Sequence, residues 1–465
     1  MNQVRYSPSM NATGPVIPAD TVPEAAPAPR VNGDGREGWH PLLADVFGAL
    51  DTASVTWCLL RSPQRPDAPD GDVDLLVDPR HRAVLRGALE ALGFARIPNG
   101  GTPDHFYLSY DPAGECWVWL HVTSEVSFGP RLERRSGAAS TCLGRRTAVG
   151  GAWHLAAEDE FWVTLLHAAL DKGTFSERHR SRLVALARQL GVEGLRASAV
   201  LGDAQQQGAA TEALEALRQD RWDDLLAYAE AWTAGWLDST PWARARKELV
   251  QVARLARNVL NPWRRRGISV ALLGPDGAGK STLAEGLKEE FFFPTRSYYM
   301  DVKAEELRSV ARLRVPGLTF AVYLTTLWRR LAGARWRQAH GELVVFDRYK
   351  YDAMNATDEA TSHTKALARW VHTRLFPSAG MALVLNLPGE QMFSRKGERS
   401  PEELEDERRR WLTMGERVPN LHVIDASQPA HRVRADAIAL IWARYAARWR
   451  RAGGRPTAAV PTNAR

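Results

Sequence analysis

Cysteine is scarce in this chain: Cys58, Cys116 and Cys142 are the only 3 in 465 residues. An odd, unevenly spaced set excludes a disulfide framework and a cysteine-rich zinc cluster, and it fits a reducing compartment. Lysine is scarce too, confined to positions 172, 247, 280, 288, 303, 350, 365 and 396. The remaining basic residues are arginine, so the formal charge of +7 reads mainly as an arginine-rich composition. No Lys/Arg tract is interleaved with stacking aromatics at a module-like spacing, so nucleic acid is not an expected partner. Long hydrophobic runs are missing. The longest candidate, Gly317 to Trp328, falls short of the ~20 residues that a membrane span needs, contains Thr325 and Thr326, and runs into Arg329 and Arg330. The opening MNQVRYSPSMNATG has no apolar core of a secretory signal. A soluble cytoplasmic chain without a membrane span is the expectation, and no internal repeat is visible.

What is present is ordinary for a globular protein: 45 % hydrophobic and 25 % charged residues. At ~150 residues per domain the length predicts about three domains. Residues 1–38 are rich in Pro, Ala, Asn and Gly and read as a disordered leader, and residues 452–465 as a disordered tail. Between them, 39–150 mixes helical and strand patterns, with helices near Leu42–Leu50 and His81–Leu92 and strands at Val55–Arg61, Gly71–Val77, Phe106–Ser109 and Trp117–Val122. This is an α+β domain. Residues 151–262 read as a helical connector that closes on Pro262 and Arg264–Arg266. From 263 to 451 short apolar runs alternate with helical stretches, which predicts an α/β domain with a five-stranded parallel sheet. The predicted strands are Ile268–Leu273, Ser297–Val302, Leu343–Phe346, Ala382–Leu387 and Leu421–Ile424.

The strongest local signal is Gly274-Pro-Asp276-Gly277-Ala-Gly279-Lys280-Ser281-Thr282, an ungapped G-x-x-x-x-G-K-[ST] loop between a buried strand and a helix. Glycines let the backbone curl so that successive N–H groups point inward, and the helix start adds its positive dipole end. Lys280 then faces the β- and γ-phosphates of ATP, and Ser281 offers a hydroxyl to Mg2+. A base-recognition N-K-x-D and a transporter LSGGQ are both lacking. The strand Leu343–Phe346 ends in Asp347-Arg348-Tyr349 instead of the Asp-Glu pair of hydrolytic motors. Asp347 suits the metal or its waters, and Arg348 suits a second anionic group, which favours an acceptor other than water.

With the loop GPDGAGKST, the strand end VVFDRYKYD, the strand MALVLNLP, the segment SRKGERSPEELEDERRRW and the late strand LHVIDAS, residues from about 268 to 445 resemble the thymidylate kinase family of P-loop nucleoside monophosphate kinases. The resemblance implies a mobile lid whose arginines, Arg395 and then Arg399, reach the transferring phosphoryl group. It implies that Asp276 faces the acceptor sugar and that Ala426 and Ser427 lie on the adenine side. The family's Arg-Glu-Pro-Gly segment after the second strand is replaced here by Tyr298-Tyr299-Met300-Asp301-Val302-Lys303, and Leu307–His340 carries no thymine-pocket pattern. The expected activity is phosphoryl transfer from ATP, with Mg2+, to a small acceptor such as a nucleoside monophosphate. A second copy of the chain is left open as a partner.

In the front domain, Gly71-Asp72-Val73-Asp74 opens a strand whose two carboxylates share one sheet face, a pattern able to hold Mg2+. With Leu59-Leu60-Arg61-Ser62 upstream, residues 40–130 resemble the nucleotidyltransferase fold, and the LLHAALDKGTFSERHRSRL segment resembles the helical extension of that superfamily. Such enzymes bring a third carboxylate from a neighbouring strand, where Trp117–Val122 offers His121; Glu115 and Glu125 are the compensating candidates. His167, Asp171 and Lys172 read as a packed helix face outside the site. Nucleotidyl transfer by this domain, or nucleotide binding without catalysis, are the alternative functions.

Overall fold

The computed structural model of the chain describes residues 36–63, 65–69, 71–97, 104–129, 132–201, 203–237, 267–302, 304–312, 315, 317–355, 363–397, 399–416, 418 and 420–452. The leader to residue 35, residues 245–260 of the expected helical connector, Arg264–Arg266, Lys303 and the tail from 453 lie outside the described residues. Two compact units account for the rest, one holding 36–109 and 117–237 and the other 267–451 together with 110–116. Among the described residues no helix is long and apolar enough to cross a membrane.

The front unit is built on a seven-stranded mixed sheet. Its strands are β1 (Trp57–Leu59), β2 (Asp72–Val77), β3 (Ala95–Ile97), β4 (His105–Asp111), β5 (Cys116–Thr123), β8 (Thr147–Val149) and β9 (Ala152–His154), in the order β3-β4-β5-β2-β1-β9-β8. A small ladder joins β6 (Ser127–Phe128) to β7 (Arg134–Arg135). Period-two geometry explains how β2 serves two faces. Val73, Leu75 and Val77 pack with Leu43, Val46, Phe47, Leu85 and Leu89 of the helices Pro41–Thr52 and Arg82–Ala91. Leu76 points the other way, into a core with Phe161, Trp162 and Leu165 of the helix Ala157–Leu166. Asp72 and Asp74 share the alternation of Leu76, so both carboxylates belong to the face that the later helices cover.

The second unit is the parallel sheet that alternation predicted: β10 (Ile268–Leu273), β11 (Thr295–Tyr299), β12 (Leu343–Asp347), β13 (Met381–Asn386) and β14 (Leu421–Asp425). The order is β11-β12-β10-β13-β14 and every pairing is parallel. All six residues of β10 are buried, as a central strand covered on both faces requires. Because β12 and β13 lie on opposite sides of β10, the strand order reverses there, and the crevice at the end of β10 is where such sheets take their ligands. The second strand runs two residues earlier than its apolar pattern suggests. Pairing from Thr295 opposite Leu343 to Tyr299 opposite Asp347 sets its ladder. Met300 and Val302, which made the run look longer, drop instead into the core beside Ala271 and Leu273.

Candidate functional site

The loop that follows β10 is held open by backbone geometry. Gly277 at φ +89° and Gly279 at φ +100° both occupy the left-handed region, and Gly279 is the N-cap of the helix Lys280–Glu290. A Cβ added at Gly277 would stand 2.9 Å from the Met392 carbonyl oxygen, so the loop and the helix Gly389–Lys396 approach as closely as glycine permits. The Lys280 ammonium is folded back on the loop: Nζ donates to the carbonyl oxygens of Gly274 at 2.7 Å and Pro275 at 2.9 Å, with Asp276 Oδ1 3.7 Å away. Burial lowers the Lys280 pKa, and the charges of Asp276 and Asp352 work against that fall. Burial alone would raise the Asp276 pKa, but Lys280, Arg348 and Lys396 together draw it down.

This loop lines a cavity of about 600 Å³. Asp276, Gly277, Gly279, Lys280, Ser281 and Thr282 of the loop line it together with Asp347, Arg348, Arg395 and Lys396. The residues singled out in the sequence for this domain are therefore brought together, with Gly274 reached through its carbonyl. Tyr299, Gln428 and Arg434 also line the space and had no motif to mark them. Beyond β14, Ala426 lines the cavity, while Ser427 is tied to Asp425 Oδ1 through its own N–H at 3.0 Å and its hydroxyl at 2.6 Å.

Arg348 sits at φ +57°, a strained conformation for a residue with a side chain, and its guanidinium lies 3.4 Å from Asp276. The strain aims the side chain back toward the loop. Five residues after Asp347, Asp352 adds a carboxylate that the sequence reading did not include. Its Oδ2 is buried with no hydrogen-bond partner, and burial pushes its pKa up to about 6 against the pull of Arg348 and Lys280. A hydroxyl and a carboxylate, Ser281 and Asp347, are hard oxygen donors of the type that suits Mg2+.

The segment expected to act as a lid is a short helix, Gly389–Lys396, followed by the helix Pro401–Thr413. Ser400 and Glu403 form a reciprocal capping box at the start of the latter, and Glu405 accepts the Gly389 N–H at 3.1 Å, tying the two helices together. Arg395 faces the cavity. Arg399 instead pairs with Glu407 along the second helix and is not among the lining residues.

The front unit has its own cavity, of about 490 Å³, between the sheet face bearing Asp72 and Asp74 and the helices around His167 and Arg178. Asp74 accepts from His121 Nδ1 at 2.7 Å and pairs with Arg61 through its other oxygen. His121 Nε2 lies 3.3 Å from Asp104 Oδ2, and the Phe106 ring stacks on the imidazole at 4.6 Å. The carboxylate that meets His121 is Asp104, just before β4; Glu125 pairs with Arg135 and also lines this cavity, whereas Glu115 is not among the lining residues. Burial would raise the Asp74 pKa, yet the His121 hydrogen bond and Arg61 hold it down at about 2. Burial likewise opposes a charged imidazole, but Asp104 and Asp74 lift His121 to about 9. His167 Nδ1 donates to Asp171 Oδ2 at 2.6 Å one turn away, and both residues line the cavity together with Lys172, so this helix face is not outside the front-unit cavity as the sequence suggested.

No family model matches the sequence, and no curated protein matches it. Among solved structures, a deoxyadenosine kinase from M. mycoides with bound dATP aligns at 17 % identity, over 36 % of this chain and 95 % of that one, with a TM-score of 0.26. A likeness at that score carries no weight for fold or activity, which rest on the geometry above.

Proposed function

We propose that the second unit is an ATP- and Mg2+-dependent kinase that transfers the γ-phosphoryl group to a small acceptor. The supporting observation is the left-handed glycine loop with Lys280 at its end, facing the same 600 Å³ cavity as Arg348 and Arg395. In this reading the loop N–H groups cradle the β-phosphate, and Lys280 leaves its carbonyls for the phosphates. Ser281 and Asp347 would hold Mg2+, which would supply positive charge to the phosphates. An acceptor oxygen attacks the γ-phosphorus as the bond to the β-γ bridging oxygen breaks, and ADP leaves. Arg395 meets the charge that spreads over the transferring group, while Asp276 and Arg348 orient the acceptor; the work is positioning and electrostatics. A lid that brings Arg395 to the site also keeps water from competing as acceptor.

The thymidylate-kinase resemblance makes a nucleoside monophosphate of the dTMP kind the first acceptor to try. An ADP-release screen with ATP and Mg2+ over nucleosides, nucleoside monophosphates, sugars and sugar phosphates identifies the acceptor. Lys280→Ala abolishes that release in this reading, and unchanged turnover in the variant refutes it.

A further inference from the structure

One carboxylate of the second unit, Asp352, has no part in the phosphate chemistry described above. It stands on the helix Lys350–Asn355, which follows the Asp347-Arg348 turn directly. Its neighbours in the chain are anchored elsewhere. The Tyr349 hydroxyl donates to the Pro377 carbonyl oxygen at 2.6 Å, Lys350 Nζ donates to Ser378 Oγ at 2.9 Å, and Tyr351 is buried in the core with Phe346 and Val384. The Asp352 N–H closes the turn on the Tyr349 carbonyl at 3.0 Å. On a helix held in this way, the Asp352 carboxylate sits among the charges of the phosphate loop and acts on Lys280, Arg348 and Tyr299. Its Oδ2 is shut off from solvent and meets no hydrogen-bond donor of the protein. Buried polar atoms are nearly always hydrogen-bonded, so an orphaned acceptor beside a phosphate-binding loop is a place for a ligand's donor.

The surrounding charge selects the kind of donor. β11 and β12 lie on one side of β10, and Tyr299, Asp301, Asp347 and Arg348 stand at or just past their ends. Asp276 of the loop faces the same Arg348 at 3.4 Å. Two nearby cations are already engaged. Arg330 donates to the Tyr299 and Asp301 carbonyl oxygens and pairs with Glu306, and Lys350 is held by Ser378. The other cations of the cavity belong to the loop, to the helix Gly389–Lys396 and to the helix Ala430–Ala452. Arg348 is thus left to face Asp276, Asp301, Asp347 and Asp352. A phosphate monoester as acceptor would add about two negative charges to that group. An alcohol adds none, and it brings the O–H that Oδ2 lacks.

We infer that the acceptor of the second unit is an alcohol, and that Asp352 is the catalytic residue whose Oδ2 receives its hydroxyl proton. The inference rests on the kinase reading of the same cavity and names its substrate class. The acceptor oxygen bonds to the γ-phosphorus as the bond from that phosphorus to the β–γ bridging oxygen breaks. The proton passes to the Asp352 carboxylate and then to solvent, and the products are a phosphate monoester and ADP.

The full chain is incubated with ATP and Mg2+ and, in separate reactions, with thymidine, deoxyadenosine, ribose, glucose, glycerol and dTMP. Phosphorus NMR separates a new phosphate monoester from the paired resonances of a new diphosphate. The wild type forms a monoester from at least one of the five alcohols and no dTDP from dTMP. For that alcohol, Asp352→Asn lowers kcat about a hundredfold or more, as loss of a general base does, while KM for ATP stays within about twofold. A melting temperature of the variant no lower than that of the wild type shows that the fold is kept. Formation of dTDP by the wild type that is lost in Lys280→Ala upholds the kinase reading and overturns the alcohol. Asp352→Asn with the wild-type kcat on an alcohol overturns the role of Asp352. Product from none of the six acceptors overturns both readings together.

Discussion

Replacing His121 by glutamine removes the imidazole held between Asp74 and Asp104, and the consequence depends on pH in a defined direction. His121 is raised from 6.5 to about 9 in the folded chain. A cation whose folded pKa lies above its unfolded value stabilises fully below pH 6.5 and loses that contribution as pH rises through about 9. The size of the rise corresponds to about 3 kcal/mol. Seen from Asp74, the fall from 3.8 to about 2 corresponds to about 2 kcal/mol, present above pH 3.8 and lost as pH drops through about 2. The two figures describe overlapping contacts and do not add. They differ because Arg61 acts on one partner and Asp104 on the other. The side chains are 20 % and 7 % exposed, so solvent screening removes little. His121→Gln is therefore expected to cost the front unit about 2–3 kcal/mol near pH 6 and almost nothing near pH 10.5. Hydrogen exchange of β2 and β5 in the full chain, wild type against variant at each pH, reads the difference. Histidine-selective NMR reads the imidazole itself. A His121 resonance that titrates between about pH 6 and 7, or a variant with the same deficit at both pH values, refutes the reasoning.

Gly277→Ala forces a side chain into the left-handed region at about 1–2 kcal/mol and drives its Cβ to 2.9 Å from the Met392 carbonyl oxygen. A melting curve of the P-loop unit should fall by about 2–4 °C for each kcal/mol, and an unshifted curve contradicts the loop conformation. Asp352→Asn is expected to stabilise. Burial raises that carboxyl from 3.8 to about 6, so its charge destabilises increasingly between those values and fully above them. The gain at pH about 7.5 is up to about 3 kcal/mol and vanishes below pH about 3.8, measurable by denaturant unfolding of the P-loop unit. Ser400→Ala removes half of the capping box and costs the helix Pro401–Thr413 about 1 kcal/mol, visible as faster amide exchange in its first turn.

The phosphate loop was legible because its chemistry is contiguous: nine consecutive residues fix both the backbone curl and the groups it carries. The parallel sheet was legible for a related reason. Strands buried on both faces must be apolar throughout, and β10, β12 and β13 announce themselves in any window of the chain. Periodicity failed where apolar residues serve the core from a loop, as Met300 and Val302 do after β11. It also failed for the short strands β3, β8 and β9, which are too brief to show a period. Asp352 escaped because a buried carboxylate on the short helix Lys350–Asn355 is indistinguishable in sequence from a solvated one.

The sequence by itself determined what the P-loop unit is made of: a strand, a glycine turn, a lysine and a helix in unbroken order, with the sheet that must follow. It also placed Asp72 and Asp74 on one face, since alternation along a single strand is local. Only the tertiary structure decided what meets them. Strand register set His121 against Asp74, the chain just before β4 brought Asp104 to the other ring nitrogen, and Arg61 closed the remaining oxygen. Ligand sites of that kind are assembled from segments far apart in the chain, and the pairing of their charges is fixed by packing rather than by spacing.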